Sequence, residues 1–368
     1  KKGNASLALL GELDALCIPE HAFANPETNA AHCCGHHAQM AGVFGAALAL
    51  TVPEIAEKLD GQVVFFATPA EEYGEIEFKN QLREQGKIRY GGGKCELLRI
   101  GAFDDIDLCL THHIRPGNEI LVGSGTGNGF VSKVIRVLGK ASHAAGAPEK
   151  GVNALSAASL GLQALGLNRE TFRDEDCVRV HPIITKGGNL VNVIPDEVVV
   201  ETLVRGKTIE AFTDAAKKTD RSFKAGAIAM GAKVEISTLP GYLPTLAEEA
   251  LPELKHAAEI SASGIPVIEA SGHAGGSTDV GDVQHLMPVY TFNTGGVKGG
   301  LHQIDFEVTD EEEAYIVTAK MFALAAYGLL KEKAQRSREL VDQYEPVFKN
   351  SAEYVEFMEQ FDSKEIFE

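Results

Sequence analysis

Leu7-Ala8-Leu9-Leu10-Gly11-Glu12-Leu13-Asp14 opens apolar and turns acidic, the pattern of a buried strand that delivers polar residues at its carboxyl end. The pattern returns twice. Gly61-Gln62-Val63-Val64-Phe65-Phe66-Ala67-Thr68-Pro69 is a second apolar run, with Glu71-Glu72 directly after it. Asp107-Leu108-Cys109-Leu110-Thr111 is a third, and His112-His113 follows. Between the first two, residues 37–59 are rich in Ala and Leu at helical spacing, and Pro53 marks a break between two helices. Strands separated by helices, with polar groups gathered after each strand, predict an open α/β sheet whose ligands bind beyond the carboxyl ends of its strands.

From Gly129 the character changes. Phe130 to Gly139 alternates like a half-exposed strand, and Asn153 to Leu167 has a helical pattern. Val178–Thr185 and Glu197–Val204 read as strands, Phe212–Met230 as a helix and Lys233–Thr238 as a closing strand. This β-α-β-β-α-β order is ferredoxin-like. The expected fold class is therefore α/β: a catalytic sheet domain formed by residues 1–128 and 239–368, with a ferredoxin-like α+β domain inserted at 129–238. From Glu332 the chain is acidic and helix-prone. Tyr344, Phe348, Tyr354, Phe357 and Phe361 are its apolar anchors, suited to packing on the surface or on a partner chain. The glycine-rich stretch Gly123–Gly129 lacks the Lys-Ser/Thr of a phosphate loop and fits an interdomain hinge better.

Composition narrows the function. A formal charge of −18 argues against nucleic acid or an anionic membrane surface as the main partner. No apolar run approaches the ~18 residues of a spanning helix, and no signal-peptide pattern is present. Six cysteines in 368 residues make no disulfide framework, which points to a reducing cytoplasm.

The chemistry concentrates in His32-Cys33-Cys34-Gly35-His36-His37. Singly, a buried Cys or a core His is more often structural than functional. Three His and two Cys in one run are poor material for either core or surface, and with Glu71-Glu72 they supply the thiolate, imidazole and carboxylate donors of a transition-metal centre. If Gly35 permits a tight backbone path, Cys34 and His36 converge. Glu71-Glu72 has a plainer reading as acidic residues at a helix amino terminus. Its functional reading gives Glu72 to a metal and leaves Glu71 to move a proton. Adjacent strand residues face opposite ways, so at most one of His112 and His113 reaches such a site. His302, in Gly299-Gly300-Leu301-His302, is equally readable as a ligand or as a surface residue. No Gly-x-Ser-x-Gly elbow supports a serine hydrolase.

Taken in order, Gly11–Leu16, His32–His36, Pro69–Glu72, Ser142-His143-Ala144, Asn192–Asp196 and Leu301-His302 resemble the successive motifs of the M20 family of metallopeptidases and amidohydrolases, closest to its amidohydrolase branch. The resemblance runs from about residue 7 to about 331. It implies two divalent transition-metal ions, Zn or Mn first and Co or Ni as alternatives, and a lid domain that also forms a homodimer. It implies Cys34 as the bridging ligand, Glu72 and His302 on one ion, and His36 and His113 on the other. Glu71 becomes the general base. His143 becomes a lid histidine that reaches the partner subunit's site, and Asn192 and Arg205 bind a substrate carrying a free carboxylate. The implied reaction is hydrolysis of an amide in an N-acyl or aminoacyl amino acid. A dipeptidase or aminopeptidase of the same family is the alternative, and a redox or metal-binding scaffold built on Cys33-Cys34 is a more distant one.

Three features depart from the pattern. Position 37 is His where Asp or Asn is commoner, which would alter hydrogen bonding around the ligands or add a spare one. The chain opens without Met and close to its first strand where the family has tens of residues more, which leaves two readings open: loss of an opening helix and edge strand, or a chain that begins earlier. The stretch after about residue 331 has no recognised counterpart in the family.

Overall fold

The strand Ser6–Glu12 is buried along its whole length and lies inside a six-stranded sheet. The computed structural model describes residues 4–262 and 264–368. Across this sheet the strands run Val267–Glu269, Ile120–Val122, Val289–Thr294, Leu108–Ile114, Ser6–Glu12 and Gln62–Thr68. Ser6–Glu12 pairs in parallel with both neighbours, and Val289–Thr294 pairs in parallel with Leu108–Ile114. Ile120–Val122 runs against Val289–Thr294. The register sets Glu12 beside Thr68 and Leu10 beside both Phe66 and Thr111, so the carboxyl ends of the parallel strands share one edge.

Successive strand residues face opposite sides, and both sides are covered. Leu7 and Leu9 pack with Leu108, Leu110 and the helix Thr318–Gln343. Ala8 and Leu10 pack on the other side with Phe103 and Cys109. Glu312–Gln343 is long and apolar enough to cross a membrane by length and composition, but its backbone leaves helical geometry at Lys331–Ala334. Its Met321, Phe322, Ala325, Ala326, Leu329 and Leu330 are fully buried against the sheet, the position of a core helix.

A second sheet is antiparallel, in the order Ile183–Lys186, Glu197–Gly206, Gly129–Leu138, Lys233–Pro240 and Ser363–Phe367. Its first four strands with the helices Ala154–Asn168 and Ile209–Met230 make the expected β-α-β-β-α-β arrangement. Each helix opens on a side-chain cap, Asn153 accepting from Ser156 N–H and Thr208 from Ala211 N–H. The chain passes from the first sheet to the second near Asn128, returns near Gly241 and crosses again before Ser363.

Four readings are corrected. Gly129–Leu138 has no exposed residue, because even Lys133 is buried, paired to Asp220 at 2.7 Å. The expected strand Val178–Thr185 is two short strands, Arg179–Val180 and Ile183–Lys186, interrupted around Pro182, whose missing N–H cannot join a ladder. The helix after Glu71-Glu72 begins only at Ile76, so these carboxylates do not owe their place to a helix terminus. The chain's final segment is not simply a helical extension of the first sheet's domain. After the helix Ser351–Glu359, the strand Ser363–Phe367 joins the second sheet, pairing with Lys233–Pro240.

Candidate metal centre

Gly35 decides the local path. It holds φ 88 at the start of the helix His36–Leu50, and a Cβ there would lie 2.0 Å from Ile114 Cγ2. Only glycine takes this conformation without strain and fits the space. Cys34 and His36 on either side of it bring their donor atoms within 4.8 Å of each other, beyond the carboxyl ends of Ser6–Glu12, Gln62–Thr68 and Leu108–Ile114.

Cys34 Sγ lies 3.4 Å from His113 Nε2 and 3.2 Å from His302 Nε2. His302 Nε2 is 2.9 Å from Glu72 Oε1. The donor atoms of Cys34, His36 and His113 lie within 4.8 Å of one another, as do those of Cys34, Glu72 and His302. Cys34 belongs to both sets. A third set, Glu12, His36 and Glu71, meets the same distance. The histidines are oriented from behind. His113 Nδ1 donates to Ile114 O at 2.7 Å and His36 Nδ1 to Asp14 O at 3.0 Å, which leaves both Nε2 atoms as ligand atoms. His302 is held with φ 63 by its N–H bonding to Cys33 O at 2.8 Å, tying a distant loop to the cysteine run.

His112 is excluded. Its ring packs on Phe292 and its Nε2 sits 2.8 Å from Thr294 Oγ1, on the opposite face of the strand from His113. His37 does not join the donors either. It rests edge-on against Phe306 and Tyr315, and burial, with His32 and His36 nearby, pulls it down to about 4.

The electrostatics follow from the close burial of these groups together. Burial, then Glu72, pushes the Cys34 thiol far above its ordinary range. Burial alone would lower His36, but Asp14, Glu12 and Glu71 outweigh it and lift the ring to about 9. Burial, followed by Glu12 and Asp279, holds the Glu71 carboxyl well above the usual carboxylate range. Burial also works to raise Glu72, yet its contact with His302 brings it below that range. The buried His36 Nε2 makes no well-directed hydrogen bond among the described residues, although Glu12 Oε2 lies 3.2 Å and Glu71 Oε2 4.0 Å from it. One thiol, three imidazoles and one carboxylate in two overlapping sets fit a pair of transition-metal ions.

The cavity has a volume of about 640 Å³ and extends from the donors to Arg205, whose guanidinium reaches Ser277 Oγ at 3.2 Å and lies over the Phe130 ring. Glycine-rich Gly123–Gly127 lines one wall. His273 lines another, fixed by Thr126 Oγ1 at 3.0 Å and Asn128 Oδ1 at 3.2 Å. His143 and Asn192 are elsewhere. They neighbour one another on exposed loops of the second sheet's unit, joined by the Ala144 N–H to Asn192 O bond, and neither lines this cavity. Sequence reasoning did not assign Glu12, Asp14, Ser277 or His273. Glu12 and Asp14 were signalled by their place at the end of the first strand. Ser277 and His273 sit in a loop with no motif to mark them.

Residues 8–327 match the profile of Peptidase family M20/M25/M40. The chain is 28% identical over 311 residues to the Xaa-Arg dipeptidase of Mus musculus, covering 82% of this chain and 64% of that protein. It is 30% identical over 244 residues to one of the p-aminobenzoyl-glutamate hydrolase polypeptides of Escherichia coli, covering 64% of this chain and 45% of that one. It thus spans less than two thirds of either relative's length. Among solved structures, a Bacillus subtilis dinuclear metal-binding peptidase of the M20 family superposes with a TM-score of 0.59 at 24% identity, over 90% of this chain and 82% of its own. That likeness establishes the shared α/β fold. With a profile match over most of its length, the chain belongs to Peptidase family M20/M25/M40, whose members are metal-dependent hydrolases.

Proposed function

We propose that the protein is a two-metal amidohydrolase that cleaves the amide of an N-acyl or aminoacyl amino acid bearing a free carboxylate. The observation that carries this reading is Cys34 shared between two donor sets, with Glu71 beside them and Arg205 in the same cavity. Cys34, His36 and His113 would hold one ion, and Cys34, Glu72 and His302 the other. Zn or Mn suits these donors first, with Co and Ni as alternatives. Such ions, when bound, supply Lewis acidity for the amide carbonyl and acidify the attacking water. Glu71 would take that water's proton and pass it to the leaving nitrogen. Arg205 pairs with the substrate carboxylate.

His143 and Asn192 act from a second copy of the chain. The unit at 129–238 is read as a lid and dimerisation domain. Its edge strand Ile183–Lys186 is exposed throughout, with Leu167 and Val191 also exposed, which supports pairing with another copy. In that dimer His143 would polarise the scissile carbonyl of the partner's substrate and stabilise the developing oxyanion. Six free cysteines support a reducing compartment such as the cytoplasm.

The similarity to an Xaa-Arg dipeptidase keeps dipeptides as the second reading. A free substrate amine calls for an acidic subsite, and the acidic residues lining the cavity, Glu12, Glu71 and Glu72, all sit at the metal end. N-acyl substrates are therefore favoured. A panel of N-acyl amino acids, free dipeptides and decarboxylated analogues tests this. N-acyl amino acids should be turned over fastest, and decarboxylated analogues should lose activity through KM. Equal rates with and without the carboxylate would remove the role given to Arg205.

A further inference from the structure

Lys94 is fully buried, and the sequence offers no motif for it. Its Nζ lies 2.5 Å from Glu12 Oε1 and 2.6 Å from Asp279 Oδ1, and its backbone N–H donates to Asp279 Oδ2 at 2.8 Å. Glu12 and Asp279 are as deeply buried as the lysine. The backbone next to it is drawn against the segment that carries Glu71. Gly93 N–H donates to Ala70 O at 3.0 Å, and a Cβ on Gly93 would lie 1.6 Å from Pro69 O.

The far oxygen of Glu12 faces the metal centre. Glu12 Oε2 is 3.2 Å from His36 Nε2, and Glu12, His36 and Glu71 form the third donor set. By distance alone this set competes with the other two for an ion. If it were used, it would draw His36 away from Cys34 and consume Glu71. One oxygen of Glu12 is already committed to a buried ammonium that Asp279 holds from the other side. Such an ion pair persists in low dielectric only while its geometry is kept, and removing one partner leaves a charge that must find another. An ion held by His36, whose Nε2 is 3.2 Å from Glu12 Oε2, would come within reach of the released carboxylate.

We propose that Lys94 is a positioning residue that holds Glu12 out of the metal coordination, so that Cys34 anchors both ions and Glu71 stays free to move protons. This rests on the two-ion reading above. It divides three neighbouring carboxylates into three tasks: Glu72 binds, Glu71 moves a proton, and Glu12 is kept aside.

The test is a titration of the metal-stripped full chain with Zn or Co against a competing chelator, alongside kcat on an N-acyl amino acid. In Lys94→Met the released Glu12 should tighten metal binding by about tenfold while kcat falls on the order of a hundredfold, the scale of changes next to metal ligands. Lys94→Met combined with Glu12→Gln should return both values toward wild type. Structural damage alone would weaken metal binding together with kcat, and that result, or an unchanged dissociation constant, overturns the proposal. Should Lys94→Met fail to fold, Glu12→Gln alone decides, since its amide oxygen still accepts from Lys94. Metal affinity within about threefold of wild type is expected, and a loss of about tenfold would make Glu12 a ligand and refute the assignment. Wild-type stoichiometry comes from the same titration. Two equivalents with an unaltered Lys94→Met affinity overturn the role of Lys94 alone, whereas fewer than two overturn the two-ion reading beneath it.

Discussion

One glycine and one strand register decide which side chains meet. Gly35 lets Cys34 and His36 bring their donor atoms together, and the alternation of Leu108–Ile114 sends His113 to the donors and His112 to Phe292 and Thr294. Charge follows from this placement, and the same burial acts away from the donors. Burial pushes the Glu248 carboxyl up to about 8, although Thr291 N–H and Gln284 both donate to it. Its folded value is thus above the unfolded one near 4.5. The native state therefore holds the proton more tightly, and the associated stability is complete below pH ~4.5 and drains away as pH rises through about 8. Glu248→Gln, which keeps an oxygen for Thr291, should remove this loss. Thermal melts from pH 4.5 to 9 should show the variant gaining on wild type as pH rises, and parallel curves would contradict the assignment. In the sequence, the cysteine–histidine run and the Glu pair were legible because each lies within a few residues of a strand end, and strand alternation allowed at most one of His112 and His113, while His113 itself was named only by the family resemblance. Lys94 and Asp279 were not. Lys94 lies 82 residues from Glu12 and 185 from Asp279, and no local pattern marks a buried ion pair.

At the scale of elements, the first sheet could be read because its strands are short apolar runs that each end in polar residues, and the ferredoxin-like order because its helices and strands alternate cleanly. The final segment could not be read that way. Ser363–Phe367 pairs with a strand that ends more than 120 residues earlier, and Lys and Glu on its exposed positions obscure the pairing. What holds the segment down is aromatic. Tyr354 is fully buried, donates its hydroxyl to the buried Asp282 at 2.8 Å and packs on Tyr90 and Phe348. Tyr354→Phe keeps the packing but takes away a hydrogen bond from a buried carboxyl. It should destabilise the fold by about 1–3 kcal/mol in denaturant unfolding. A variant as stable as wild type would mean that the segment is only loosely held.

Across the whole molecule, the two sheets divide the work. The first gathers metal donors at the carboxyl edge of its parallel strands, the usual place for a ligand in an open α/β sheet. The second contributes Arg205 to the same cavity and carries His143 and Asn192 out of reach of it. The proposed site completed by a second copy would account for that separation. It predicts that inactive Glu71→Gln and inactive His143→Ala chains regain activity when mixed, because one of the two sites in a mixed dimer has both residues intact. Mixed samples with no activity above either parent would favour a site complete within one chain. The central claim, that Cys34 is shared between two ions, is tested most directly by metal content per chain on protein purified without chelator or metal-affinity steps and then dialysed against Zn or Mn. The account predicts two equivalents in the wild type and the loss of both in Cys34→Ala. One equivalent or none in the wild type, unrestored by either metal, would contradict it.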